Sequence, residues 1–202
     1  MEALPRPVPP DPLPLARRWL DEAASRGSKN PWAMALASVS AGGRPSVRYV
    51  LLKALSDSEG FIVFYTNYAS RKALELESTR VAAAALYWPE AGRQLRFEGA
   101  IERSPAAESD AYFAARPRPS QLNARASAQS RPVASPDAVG RQIEAEARRF
   151  EREPAIPRPE GWGGYRLLIE ALEFWVEGAD RCHERLRYER AGGPWSAAWL
   201  QP

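Results

Sequence analysis

The sequence predicts an α+β protein, most simply a small antiparallel β-barrel flanked by helices. Two observations carry that expectation. At least six stretches are apolar or alternating at strand length, and turn-like "AGGRP", "SDSEG" and "PEAG" separate several of them, the pattern of antiparallel strands joined by short connections. Helical periods fall at the margins of these runs, which argues for one sheet with helices beside it.

In chain order, residues 1–10 are proline-rich and read as an extended, flexible arm, because proline cannot donate to a helix or strand ladder. One domain over residues 11–202 is expected to follow, since 202 residues allow little more than one domain of roughly 100–200 residues. Asp11 and Pro12 look like the N-cap and first position of a helix with Leu15, Trp19 and Ala23 on one face, ending near Gly27. From Trp32 the period becomes that of strands. "WAMALASVS", "SVRYVLLKAL", "GFIVFYTN", "VAAAALYW" and "RQLRFEGAIE" suggest an antiparallel meander. A helix, "SRKALELES", interrupts it, with Ser70 as cap. "PAAESDAYFAARP" is helical, and "RPSQLNARASAQSRP" after it is basic and serine-rich. Ser135 and Pro136 then open a helix with Val139, Ile143, Ala147 and Phe150 on one stripe. "YRLLIEALEFWVEG", "RCHERLRYER" and "WSAAWLQ" read as closing strands.

Composition excludes several classes. Hydrophobic residues make up 45% and charged residues 26%, close to the averages of soluble globular proteins. No apolar run approaches the roughly 18 residues of a spanning helix, so no membrane partner is expected. The N-terminal stretch lacks the basic start, apolar middle and cleavage site of a secretion signal. Cys182 is the single cysteine, so no internal disulfide can form, and a cytoplasmic location is expected. A formal charge of +3 could serve phosphate ligands or nothing specific, and does not by itself argue for nucleic acid. There is no glycine-rich phosphate loop, paired-histidine or clustered-cysteine metal site, or nucleophile elbow.

What the chain offers is cations at defined positions. In an unbroken strand Arg48 and Lys53 point to opposite faces and are expected to serve different anions; solvent-exposed strand ends account for them equally well. Ser70 caps a helix whose first turn holds Arg71 and Lys72, cations that oppose the helix dipole and suit a bound phosphate, or simply a solvated basic turn. On a strand, Arg181, His183 and Arg185 share one face, either against an anion or at a solvated edge. Tyr112 and Arg116 stand one helical turn apart, with Ser120 just beyond. Gln94 and Trp175 sit in strand-like stretches, where packing alone explains a tryptophan. Taken together, these groups suggest a grip on two anionic small molecules, one of them a cofactor.

"RYVLLK", "FYTNYASRK", "YFAARPRPSQ", "AQS", "WGGY", "EFW" and "RCHERLRY" stand in the order and approximate spacing of the pyridoxamine 5'-phosphate oxidases. The sequence resembles that family from about Asp11 to Pro202. The resemblance implies an antiparallel split β-barrel, FMN as cofactor, and a homodimer with FMN sites shared between subunits. By resemblance Arg48, Tyr49, Val50, Leu51, Leu52 and Lys53, with Tyr65, Thr66, Arg71, Lys72 and Gln94, would line the FMN site, the helix-start cations meeting its phosphate. Gln129, Ser130, Trp175 and Arg185 would also reach FMN. Lys53, Tyr112, Arg116 and Ser120 would hold the phosphate of a vitamin B6 substrate, while the catalytic pair Arg181 and His183 would cover its pyridine ring. The implied reaction oxidises pyridoxine or pyridoxamine 5'-phosphate to pyridoxal 5'-phosphate, with O2 as acceptor and H2O2 as product. Two departures stand out: "RCH" replaces the usual "RLH", and "NARAS" stands where "GAWAS"-like sequences are common.

Three other readings compete. "RPEG", "HERLRY" and the final "LQP" resemble a related flavin oxidase of secondary metabolism acting on dihydrophenazine-type substrates, although that branch tends to lack the substrate-phosphate set. A split-barrel protein that only binds flavin or haem is the second. The third is a nucleic-acid-binding arm at "RPSQLNARASAQSRP", disfavoured because it holds no aromatic residue for base stacking.

Overall fold

The computed structural model describes residues 3–202. Helix α1 (Leu13–Ser25) buries Leu13, Leu15, Ala16, Trp19, Leu20 and Ala23 along one face. The N-cap is Pro12, one residue later than expected and without a side-chain cap; Asp11, just before it, accepts from the Leu13 amide through Oδ1 at 3.0 Å.

Nine strands follow: β1 (Ala33–Val39), β2 (Pro45–Leu51), β3 (Ala54–Ser56), β4 (Phe61–Asn67), β5 (Val81–Trp88), β6 (Arg93–Arg103), β7 (Trp162–Val176), β8 (Glu184–Glu189) and β9 (Ser196–Leu200). All pair antiparallel. Their order is β2-β1-β5-β6-β7-β4-β3, with β8 on β7 and β9 on β8. This is not the expected meander. β4 keeps β3 on one side but on the other pairs with the first half of β7, Phe61 opposite Leu168 and Asn67 opposite Trp162, while the second half of β7 takes β8. Short-range turn signals could not foresee a partner strand this far along the chain.

The two ends of the ordered path, β2 and β3, are joined by Leu52 and Lys53 alone. The sheet therefore curls until its edges face each other, and the open seam between them makes it a split barrel rather than a closed one. β6 and β7 bend around it through a bulge at Glu98/Gly99. A Cβ on Gly99 would lie 1.8 Å from the Leu168 carbonyl oxygen, so only glycine allows the backbones to come so close. The main core, including Trp19, Phe64, Phe97, Tyr165, Phe174 and Tyr188, fills the barrel under α1.

Four helices stand outside it: α2 (Arg71–Thr79), α3 (Ala106–Ala115), α4 (Arg118–Ala126) and α5 (Pro136–Arg149). Ser70 and Ser135 cap α2 and α5, accepting from the amides of Ala73 and Ala138. A second, smaller core of Phe113, Leu122, Phe150, Ile156 and Trp162 fixes α3 and α4 to the start of β7. Two expectations change here, and the disfavoured nucleic-acid arm meets a folded segment: the basic serine-rich stretch is largely helix α4, and Arg125 anchors it through Glu146 Oε2 at 2.9 Å and the Pro157 carbonyl at 2.7 Å. Val139 and Ile143 of the expected α5 stripe are only half-buried, and no residue within α5 is fully buried. The proline-rich arm is tied down: Leu4 is 3% exposed, its amide donates to Glu184, and Tyr188 donates to the Pro9 carbonyl. Met1 and Glu2 of that arm lie outside the described residues. No helix of the described residues is long and apolar enough to cross a membrane.

Candidate active site

The seam opens into a cavity of about 510 Å³. β2 supplies Arg48, Tyr49, Val50 and Leu51, the seam itself Lys53, β4 Tyr65 and Thr66, and α2 Lys72. α3 and the turn into α4 supply Tyr112, Arg116, Pro117 and Ser120, with Gln129 and Trp162 closing the wall. Twelve of the residues expected from sequence are thus brought together. Arg48 and Lys53 share this one cavity instead of facing opposite ways, because β2 stops at Leu51 and the alternation rule does not survive the break. Leu52 turns inward there and is buried in the core at 2% exposure.

The cavity is cationic without local compensation on most of its wall. Arg48, Lys53, Lys72 and Arg116 line it, and no carboxylate does. Lys72 is buried, and its ammonium donates only to neutral oxygens: Gln129 Oε1 at 2.7 Å, Thr66 Oγ1 at 3.1 Å and Ser70 Oγ at 3.3 Å. Burial, and secondly repulsion from Arg48, lowers its pKa to about 8. Arg116 stacks 4.7 Å from the Trp162 ring centroid, and its buried Nη1 has no hydrogen-bond partner among the described residues. Burial lowers the pKa of this guanidinium too. Buried cations without partners are costly, and a bound anion is the usual remedy. Beside them lies an aromatic wall: Tyr65 and Tyr112 stack at 3.9 Å, Tyr65 and Trp162 at 5.4 Å. Anion-holding cations beside flat aromatic rings suit a phosphorylated heteroaromatic ligand.

Arg48 is the exception among the four, because it has a carboxylate. Glu75 of α2, 6% exposed, accepts from Ser38 Oγ at 2.6 Å, Ser46 Oγ at 2.5 Å, Arg48 Nη2 at 3.1 Å and Arg71 Nε at 2.9 Å. Arg71 does not line the cavity, and its side chain is 65% exposed.

The remaining expected residues lie elsewhere. Gln94, Trp175 and Arg185 form a row across β6, β7 and β8, each opposite the next. Tyr65 pairs with Gly164 at the other end of β7, so Trp175 lies about 36 Å further along the strand at roughly 3.3 Å per residue. Arg185 donates to Glu173 Oε1 at 2.9 Å, and Glu173 also meets Arg96 and Arg187. The face shared by Arg181, His183 and Arg185 does not exist, since the strand begins only at Glu184. Residues 179–181 form a tight turn, with Asp180 and Arg181 left-handed at φ 52° and 63°. The turn folds back so closely that a Cβ on Gly178 would lie 1.9 Å from the Cys182 carbonyl oxygen. His183 Nδ1 accepts from the Gly178 amide at 3.2 Å, and its ring lies 4.6 Å from that of Trp175. Ser130, left-handed at φ 71°, faces a neighbouring hollow of about 190 Å³ rather than the main cavity.

Two residues of this region escaped the sequence reading. Trp162 stands in the quoted "WGGY", but a tryptophan opening a strand reads as packing. Glu75 looks like an ordinary helix charge one turn from Arg71.

The split sheet and its cation-lined seam define a split-barrel protein with a binding site for anionic, flat ligands. Residues 20–150 match the family model described as pyridoxamine 5'-phosphate oxidase, and residues 162–202 match that of the pyridoxine 5'-phosphate oxidase C-terminal dimerisation region. A pyridoxine/pyridoxamine 5'-phosphate oxidase of Rubrobacter xylanophilus is 49% identical over 96% of this chain and 88% of its own length. One from Cupriavidus necator is 45% identical over 96% of this chain and 91% of its own. The structure of PhzG from Burkholderia lata, in complex with tetrahydrophenazine-1-carboxylic acid, superposes with a TM-score of 0.89 at 35% identity, covering 96% of this chain and 94% of that one. The chain belongs to the pyridoxamine 5'-phosphate oxidase family and is an oxidoreductase.

Proposed function

We propose that the protein oxidises pyridoxine 5'-phosphate or pyridoxamine 5'-phosphate to pyridoxal 5'-phosphate, with FMN as its cofactor and O2 as acceptor. The observation that carries the substrate class is Arg116, a half-buried arginine whose buried Nη1 has no hydrogen-bond partner among the described residues, on the cavity wall. With Lys53, Tyr112 and Ser120 around the same cavity, it forms a seat for a phosphate monoester. The donor set also suits FMN: Lys72, Arg48 and the start of α2 offer charge and free amides for its phosphate, while Thr66 and Gln129 offer polar edges. Bound FMN would accept a hydride from the 4' carbon and O2 would reoxidise it, giving H2O2; the alcohol yields the aldehyde directly, whereas the amine also takes up water and releases ammonia. The protein's part would be to hold the two phosphates apart and align the rings.

In this reading the catalytic pair Arg181 and His183, with Gln94, Trp175 and Arg185, reaches the ligands in the cavity of a second copy, while Ser130, next to Gln129, serves the cavity of its own. Their separation along β7 and the match to a dimerisation region support that arrangement. So does an exposed apolar row on β2: Val47 is 68%, Tyr49 78% and Leu51 45% exposed, beside the cavity mouth. Location in the cytoplasm accords with a thiol left free at Cys182.

The likeness to PhzG supports a second reading, oxidation of a dihydrophenazine-type substrate. One experiment separates them: FMN-loaded protein is mixed anaerobically with pyridoxine 5'-phosphate and the flavin absorbance followed. Bleaching with formation of pyridoxal 5'-phosphate, reversed by air, is the expected outcome. A flavin that stays oxidised with both B6 phosphates but bleaches with a dihydrophenazine carboxylate would replace the first reading by the second. Oxidised flavin with all of them would leave a pure binder.

A further inference from the structure

Both arginines nearest the start of α2 converge on one buried carboxylate that does not line the cavity. Glu75 sits one turn inside α2, with Arg71 one turn before it and Arg48 reaching across from β2. Four donors surround it: two serine hydroxyls on β1 and β2 and two guanidinium groups. Burial, the largest single influence, pushes this carboxyl up, but the four hydrogen bonds together outweigh it and hold the pKa at about 2. It is therefore ionised at every working pH.

A carboxylate this near an anion site is puzzling on Coulombic grounds alone, since it weakens the local positive potential. Its geometry gives the reason. Arg48 donates through both terminal nitrogens, to the Leu36 carbonyl, Ser38, Ser46 and Glu75, so its guanidinium is fixed in plane and rotation. Arg71 uses only Nε on Glu75, which leaves its two terminal nitrogens turned away from the carboxylate. A long, otherwise exposed side chain is thereby anchored at its inner edge, and less rotamer freedom is lost when it closes on a ligand.

We propose that Glu75 is a positioning residue for the cofactor phosphate: it pre-orients Arg48 and Arg71 beside the N-terminus of α2, and it strengthens FMN binding despite carrying the same sign of charge as the ligand. The inference rests on the FMN reading above.

The test is the FMN dissociation constant of the apoprotein, read by quenching of flavin fluorescence, for the parent chain, Glu75→Gln, Arg71→Ala and the double variant. Glu75→Gln removes the charge at constant shape. It is expected to weaken FMN binding at least about tenfold, the scale of a lost charge-assisted hydrogen bond, and to cost clearly less when Arg71 is already alanine. Binding as tight as the parent's, or tighter as simple Coulomb repulsion requires, would overturn the proposal, and so would equal losses with and without Arg71, which mark a merely structural role. If Glu75→Gln fails to fold by circular dichroism, Ser46→Ala loosens the same carboxylate, and it must show a smaller loss in the same direction. Should the parent itself not bind FMN, the cofactor reading fails and the inference with it; tight parent binding isolates the failure to Glu75.

Discussion

The two ends of β7 carry the same kinds of residue under opposite conditions. At its start, Lys72 and Arg116 face a cavity with no carboxylate on its wall; near its end, Arg185, Arg187 and Arg96 surround Glu173, which is 2% exposed. The first group is electrostatically unfinished and concave. The second is neutralised in place and presented on a strand row. Incomplete charge suits a bound anion, whereas the satisfied row, in the proposed function, meets a ligand held by a second copy.

The contrast breaks most visibly at Arg116. Arg116→Met keeps a stem over Trp162 but removes the charge, and is expected to lower kcat/KM for the B6 phosphate by about a thousandfold, the cost of losing a buried phosphate contact. The melting temperature should change little, because no carboxylate pairs with the charge removed and the methionine stem keeps the contact with the Trp162 ring. At the other end Glu173→Ala should do the reverse to stability. It leaves Arg185 without a carboxylate and is expected to cost about 3 kcal/mol in chemical denaturation, the low end for breaking a buried pair because Arg96 and Arg187 keep Glu98.

The pH dependence sharpens the same comparison. Burial lowers the Lys72 pKa to about 8, and in the proposed function its charged form holds the FMN phosphate. Affinity should be intact below pH 8 and fall by about tenfold per unit as pH rises beyond it. Lys72→Met should bind weakly but without that bend. Apoprotein stability runs the other way: the folded pKa lies below the unfolded one, so Lys72 penalises the fold below pH 8, and that penalty fades between there and the unfolded value of 10.5. Mixing is the subtlest readout. Lys72→Ala and Arg185→Ala, each inactive alone, should regain roughly a quarter of parental turnover after co-refolding if each site draws on two copies. No regain would mean that each copy works with its own residues.

Much of the cavity was legible because its residues fall in short contiguous motifs: "RYVLLK", "FYTN" and "YFAARPRPSQ" each deliver neighbours to one wall. The errors came where a local rule was extended across a break. Arg48 and Lys53 obey strand alternation only if the strand continues, and it stops at Leu51. Arg181 and His183 share a face with Arg185 only if the backbone stays extended, and Asp180 and Arg181 turn left-handed instead. Sheet order depends on β4 meeting β7, a pairing set by the barrel core and not by any turn. Glu75 was invisible for a related reason: its role lies in partners from β1 and β2, which no helix pattern reports.

The anchored arm has a bearing on how the chain is made. Leu4 packs against the barrel, and its amide is held by a carboxylate 180 residues later, on a strand that itself waits for β7. On the ribosome, then, the first described segment to emerge is among the last to find its place. Until Glu184 is synthesised, the Leu4 amide lacks the carboxylate that holds it, so docking of this segment is completed only with the C-terminal strands in place.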